Sequence, residues 1–436
     1  MRAALIVLAV AAFSVAGEPG KKTLLYLGLN EQGAEEWYRV KDGAVVIRVP
    51  GGNYLKRPYE GWEHTEEPKQ VAVGSFFMDK FEVTNASFAR FLNEQKMTDR
   101  LVGASVAGLE RDGERWRASA GRENHPVTAA TGFGAEAYTR WVGGRTPTAP
   151  EWEKAAGGPK GRLYPWGDQE PDATRANFAR PKPRGTMPVG AHKAGASFYG
   201  CLDMAGNAYE RVLMRTRDGR EAPVMIKGGS WLSPHSLNLR VLDLCVQPMG
   251  VAEGSVGFRC AMRDPEPDRP VRTEKDTPKL ELARDFKAGV AEAKRRRVPI
   301  FLSLLYDTCG QCDRTRAQLY RDPRFVAYCN EYLVVVFGHQ AGHALESDHG
   351  KLEGGDCALY PGVTCDEHEI VFARGLEVVG GFRISPGNFV LDPNRCAKGA
   401  GSKAILIPER ELPKWGNAVK EYLAAFGRAR AALAAK

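Results

Sequence analysis

Val298-Pro299-Ile300-Phe301-Leu302-Ser303-Leu304-Leu305, followed after Tyr306-Asp307-Thr308 by Cys309-Gly310-Gln311-Cys312, sets the reading of the second half of the chain. A short apolar run that ends in a loop and meets two cysteines one helical turn apart has the layout of a redox motif. A helix starting at or just after Cys309 would favour a thiolate there through its N-terminal amides and dipole. Cys312 would sit one turn along, placed to attack a mixed disulfide at Cys309 and close the ring. A structural disulfide, or half of a zinc site, uses the same spacing; no second Cys-x-x-Cys supports zinc.

Outward from this run, the spacing predicts more of the same unit. Phe286, Val290 and Ala293 share a helical face before it. After it, a helix reaches Tyr320, Asp322-Pro323 forms a turn and Phe325 to Asn330 a short helix. Tyr332 to Phe337 is an apolar strand of the kind buried on both faces, with later strands at Phe389 to Leu391 and Ala404 to Ile407. Trp415, Val419, Tyr422 and Phe426 line one side of a final helix. This order resembles the thioredoxin fold. The resemblance implies an α/β thioredoxin-like domain over residues 280–436 and a cis-proline facing the dithiol, at Pro386 in Ser385-Pro386. It departs from that pattern at Thr308, where tryptophan is usual, and Asp307 opposes a thiolate nearby. Residues 339–380 form an insertion holding His339, His343, His349, Cys357, Cys365 and His368. These ligands could build a zinc or copper site; a Cys357–Cys365 disulfide with solvated histidines is the plainer alternative.

The chain has 436 residues, room for two or three domains, and a net charge of +8. Its basic residues are scattered except for Lys294 to Arg297, which reads as a solvated helix end, so no nucleic-acid partner is expected. Arg2, the apolar Ala3 to Val15 and the small residues Ser14-Val15-Ala16 predict a signal peptide over residues 1–17. That implies an extracytoplasmic protein, periplasmic or secreted, with no stable membrane span expected and a retained N-terminal anchor as the alternative. Nine cysteines in an exported chain point to disulfides, and the odd number leaves at least one thiol free or paired outside the chain.

Residues 18–44 read as a lead-in, with a strand at Thr23 to Leu29 and a short helix or loop at Glu31 to Val40. From 45 to 263, short apolar runs alternate with glycine, proline and tryptophan, and Ala86 to Asn93 and Ala135 to Trp141 are amphipathic helices. Thr84 and Asn85 precede the first as caps. Residues 264–279 (DPEPDRPVRTEKDTPK) read as a linker that buries nothing.

Eight ordered blocks lie within 45–263: Val49-Pro50-Gly51-Gly52, Met78 to Asn85, His125-Pro126-Val127, Gly144 to Ala156, Tyr164-Pro165-Trp166-Gly167, Gly200 to Glu210, Lys227 to Trp231 and Gly257-Phe258-Arg259. Together they resemble the formylglycine-generating enzyme (sulfatase-modifying factor) family, over about half the chain. The resemblance implies an α+β domain comparable to C-type lectins. Copper-dependent oxidases of the family carry cysteines three and eight residues after the serine of the Gly-Gly-Ser block. Ser233 and Asn238 stand there, and neither offers the thiolate that selects Cu(I), so no copper is expected. The iron-binding bundle of the family's sulfoxide synthases is also missing; His339, His343 and Glu346 miss its His-x-x-x-His-x-Glu spacing by one residue. The resemblance further implies calcium held by Asn177, Asn207 and Glu210 with backbone carbonyls. Arg211 replaces the family's aromatic after that glutamate, and Ala149-Pro150 interrupt the acidic pattern before Glu151.

The leading expectation is thiol-disulfide exchange on a protein or peptide client, with Cys309 attacking, Cys312 resolving and Pro386 shaping the groove. Two alternatives stand beside it. One is a non-catalytic binding or scaffold protein with a permanent Cys309–Cys312 disulfide. The other is oxidative modification of a substrate by the first domain through a different metal.

Overall fold

The computed structural model describes residues 23–58, 67–96, 101–103, 108–128, 130–179, 185–215, 221–283, 285–306, 320–340, 387–391, 405–406, 423 and 426–427. The expected signal peptide, Cys309, Cys312, Pro386 and the 341–380 part of the insertion lie outside them. The chain divides into two units, one comprising residues 29–272 and the other Thr273 onward together with Leu25–Gly28.

In the first unit, strands Glu35–Arg39, Val45–Val49, Phe76–Asp79 and Ala261–Arg263 lie side by side in that order, each antiparallel to the next. The lead-in is corrected here: Glu31 to Val40 holds the strand Glu35–Arg39 rather than a short helix or loop. A turn closed by the Asn30 side chain, which accepts from the Gln32 and Ala34 amides, feeds directly into Glu35–Arg39. A second sheet runs Cys245–Val246, Glu221–Lys227, Tyr209–Arg215, Val256–Gly257, antiparallel except for its last pair.

Three helices, Asn85–Gln95, Gly132–Trp141 and Ala149–Gly157, start at Thr84, Thr131 and Thr148, and each threonine oxygen accepts an N–H two or three residues into the helix. At Thr148 the Glu151 carboxylate returns the bond, completing a capping box. Phe88, Phe91 and Leu92, at i, i+3 and i+4, give the first helix its buried face against Tyr138 and Phe258. Trp152, Ala155 and Ala156 of the third pack on Ile47, Val49, Phe76 and Met78 of the first sheet.

The segment expected to link the two halves differs from that expectation in its first part. Arg48, 3% exposed, donates to Asp264 and to the carbonyls of Glu266, Pro267 and Arg269. Glu35 accepts from Arg269 and from the Arg272 amide, and both guanidinium groups lie over the Trp37 ring, at 4.6 and 5.2 Å. Composition misses this because the partners lie more than 200 residues away in sequence.

In the second unit, strands Val334–Gln340, Ile300–Tyr306, Gly387–Leu391 and Ile405–Leu406 lie in that order, the first pair parallel and the rest antiparallel. Leu282 makes a further parallel bridge to Val335. Ile300, Leu302 and Leu304 face Phe286 and Ala293 of helix Phe286–Arg296. Between them in sequence, Phe301 meets Phe325 of helix Pro323–Tyr332 and Phe426, and the Ser303 hydroxyl hydrogen-bonds Tyr320. Covered on both faces, the strand requires the nearly continuous apolar run from which its position was read, with Ser303 the one polar residue in it.

Candidate functional site

The first unit converges on the loop Gly200 to Glu210. Asn207 adopts a left-handed backbone (φ 60°), which asparagine tolerates better than most side-chain-bearing residues. Gly206 before it (φ 79°) admits no side chain, since a Cβ there would lie 2.7 Å from the Asn177 carbonyl oxygen. This tight passage brings Asn177 and Asn207 together: Asn177 Nδ2 donates to Asn207 Oδ1 at 3.2 Å and to the Gly185 carbonyl at 3.0 Å. The Met187 amide also donates to Asn207 Oδ1, at 2.8 Å, and Asn207 Nδ2 donates to Glu82 at 3.1 Å.

Glu210 is turned elsewhere. Arg259 grips it with two bonds of 2.6 Å, and Trp152 Nε1 donates to the same carboxylate at 2.7 Å, all three residues being fully buried. Arg259 also donates to the carbonyls of Asp79, Lys80 and Leu202, so this ion pair ties strand Tyr209–Arg215 to the first sheet and to the Gly200 loop. Two further buried carboxylates stand nearby. Burial and the charges of Asp203 and Glu210 hold Glu82 well above the ordinary carboxylate range. Burial pushes Asp203 up to about 6, opposed by the Gly190 amide that it accepts and by Arg259.

This arrangement does not fit a calcium ion held by Asn177, Asn207 and Glu210. A hard cation needs oxygens converging on one point, whereas the Glu210 oxygens meet N–H donors and the Asn207 oxygen meets two more. Among the described residues, no group of three or more His, Cys, Asp or Glu is placed to hold a metal.

Copper fits no better. Gly229 (φ 71°) lets the Asn238 backbone approach the Gly-Gly-Ser block, since a Cβ there would lie 2.8 Å from the Asn238 carbonyl oxygen. Ser233, 3% exposed, accepts from the Ser230 amide and donates to the Tyr209 hydroxyl; Asn238 donates to Asp243. The cysteines near them in sequence are apart in surroundings. Cys260 is buried with Asp79, Asp42 and Arg39, and its thiol is pushed well up by burial. Cys245 is exposed on its strand, hydrogen-bonded to Tyr209, its thiol raised by partial burial and by Asp243.

Arg211 is buried where the family has an aromatic. Its guanidinium donates to the carbonyls of Gln247 and Val251, and burial lowers it to about 10. Beneath the same strand lies a network that the sequence reading missed. Lys227, fully buried, pairs with Glu153 at 3.1 Å and donates to the Asp243 carbonyl, while Tyr54 donates to Glu153 at 2.6 Å. Glu82, Glu153, Lys227 and Arg259 all sit inside the quoted blocks.

A protein kinase from Chlamydia caviae, serine/threonine-protein kinase pkn1, is 30% identical over 238 residues, covering 50% of this chain and 37% of the kinase. The chain thus spans little more than a third of that relative's length. The inactive Cα-formylglycine-generating enzyme 2 of Bos taurus is 28% identical over 275 residues, covering 52% of this chain and 91% of the relative. Among solved structures, PvdO from Pseudomonas aeruginosa covers 51% of this chain and 95% of its own, at 20% identity and a TM-score of 0.41. The sulfatase-modifying factor enzyme 1-like domain model matches residues 34–264, just over half the chain, and the chain belongs to that family.

Proposed function

We propose that this is an exported two-part protein. In this reading the first unit recognises a protein or peptide client without copper chemistry, and the second exchanges disulfides with it. The observation that carries the first half is the pair Ser233 and Asn238, an alcohol and an amide where copper oxidases of the family have thiolates, each already bonded to a neighbour. The bovine relative named inactive accords with it. Support for export comes from Arg2 and the apolar run Ala3 to Val15.

For the second half, support comes from the sheet. A central strand, parallel to one neighbour and antiparallel to the other, ends at Tyr306, three residues before Cys309. A helix of the unit lies on one face and Phe325 and Phe426 on the other, which supports reading this unit as thioredoxin-like. The chemistry balances within the dithiol. Cys309 thiolate attacks one sulfur of a client disulfide, forming a mixed disulfide and expelling a client thiolate. Cys312 then attacks the Cys309 sulfur, releasing the second client thiol and leaving Cys309–Cys312 oxidised; two electrons have passed to the client. The reverse sequence oxidises a client. Pro386 lines the groove in this reading.

Titration of the full chain in glutathione buffers, with insulin reduction as the assay and Cys309→Ser as control, tests it. A reversible dithiol couple, with turnover lost in the variant, is expected. Turnover unchanged in Cys309→Ser, or a Cys309–Cys312 bond that no thiol reduces, overturns the exchange and leaves the binding protein with a permanent disulfide.

A further inference from the structure

The run Ile300 to Leu305 is apolar except at Ser303. That serine is fully buried, and it lies in register between Phe337 of the parallel neighbour and Asn388 of the antiparallel one. A hydroxyl so placed has no water to turn to and costs stability unless it is bonded. It is bonded to the Tyr320 hydroxyl, on a residue itself only 8% exposed. The Tyr320 ring is seated 4.6 Å from Phe337 and 5.6 Å from Phe325, and Phe325 packs in turn on Phe301 at 5.7 Å.

Packing alone does not call for these two hydroxyls. Alanine at 303 and phenylalanine at 320 would leave the aromatic contacts in place with neither hydroxyl to satisfy, a change that can be nearly neutral or even stabilising. What the hydrogen bond adds is direction. It selects one placement of Tyr320 over the strand and rejects neighbouring ones that an apolar contact would tolerate. Cys309 stands six residues after Ser303, and Cys312 eight residues before Tyr320. The two hydroxyls therefore bracket the dithiol stretch, fixing the strand from which it departs and the point at which the chain returns to the sheet.

We propose that Ser303 and Tyr320 are positioning residues for Cys309 and Cys312, their hydrogen bond holding the dithiol more reducing than an apolar pair would. The inference rests on reading the second unit as an exchanger of disulfides, and it names what tunes that exchange. In glutathione, the Cys309–Cys312 disulfide and two glutathione thiols give the dithiol and one glutathione disulfide, two electrons passing to the protein. The oxidised form is held together by its own covalent bond. Two thiols stay close only as far as their surroundings hold them. Fixing both ends of the stretch removes more freedom from the reduced form than from the oxidised one, which makes the disulfide harder to open.

Equilibration of the full chain in graded glutathione buffers tests it, with differential alkylation at Cys309 and Cys312 read by mass spectrometry and thermal melting measured alongside. Tyr320→Phe keeps the ring and removes its hydroxyl. Its disulfide should open about threefold to tenfold more readily, a rise in potential of about 15–30 mV. Ser303→Ala should shift it the same way. The double variant separates tuning from stability. With both hydroxyls gone, neither is left buried without the other, so the melting temperature should recover toward the parent while the potential stays raised. Val336→Ala, in the same sheet but packed with Phe286, should lower the melting temperature and leave the potential unmoved. The parent potential in Tyr320→Phe, a potential that recovers with the melting temperature in the double variant, or an equal shift in Val336→Ala would each overturn the proposal. A parent chain with no reversible Cys309–Cys312 couple removes the exchange and this role together; a reversible couple indifferent to the hydroxyl variants removes this role alone.

Discussion

Glu210 and Arg259 show how one pair of residues can decide what a site does. Removing one partner of a fully buried ion pair leaves the other charge without compensation, a loss of roughly 3–5 kcal/mol. Arg259→Leu should therefore destabilise the protein by about that amount in denaturant titration, and adding Glu210→Leu should restore part of it. Because the Glu210 oxygens are already taken by Arg259 and Trp152, added calcium or a chelator should leave the melting temperature of the full chain unchanged; a rise with calcium would mean that the asparagines and backbone carbonyls suffice without it. Asp203 makes a pH prediction. Its folded pKa is raised from 3.8 to about 6 by burial, so the folded state binds the proton more tightly than the unfolded one. That contribution is fully present below about 3.8 and is lost as pH rises through about 6, an amount near 3 kcal/mol at most. Asp203→Asn, which keeps an acceptor for Gly190, should flatten the fall in stability across that window. The eight blocks placed these residues in sequence, but which carboxylate meets which cation was not legible there. That pairing depends on contacts such as Arg259 to Glu210 and Arg48 to Asp264, 49 and 216 residues apart.

At the scale of elements, the local signals served well where partners were local. Thr84 before Ala86 to Asn93 is the cap of helix Asn85–Gln95, and the spacing of Phe286 and Ala293 does lie along one buried helical face. The run Val298 to Leu305 became the strand Ile300–Tyr306 because both of its faces are covered. Asp322-Pro323, read as a turn, is the start of a helix: Asp322 caps it and Pro323 takes the first position, where its missing N–H costs nothing. Glu31 to Val40 misled because Glu35–Arg39, paired to the neighbouring strand Val45–Val49, is buried at every position but Glu36 and so carries no polar–apolar alternation. The capping box at Thr148 offers a direct test. Thr148→Ala removes an acceptor for the Glu151 amide and a donor to its carboxylate, and should cost about 1 kcal/mol by thermal or chemical unfolding.

At the scale of the whole molecule, the contrast is between soft chemistry absent from the first unit's expected position and a dithiol in the second half. In a background with Cys309 and Cys312 replaced by serine, the protein should not compete with a Cu(I) chelator through Ser233 and Asn238. Adding Ser233→Cys and Asn238→Cys should confer that competition, since two thiolates supply the soft ligands that select Cu(I). The stretch 264–272 has a practical consequence for anyone cutting the chain. A fragment that stops at Asp264, where the family match ends, would strip Glu35 of Arg269 and the Arg272 amide, strip Arg48 of three carbonyl acceptors and bare the face of Trp37. Expressed alone, that piece should melt well below one carried eight residues further to Arg272, so the true seam for dissecting this protein is the later one.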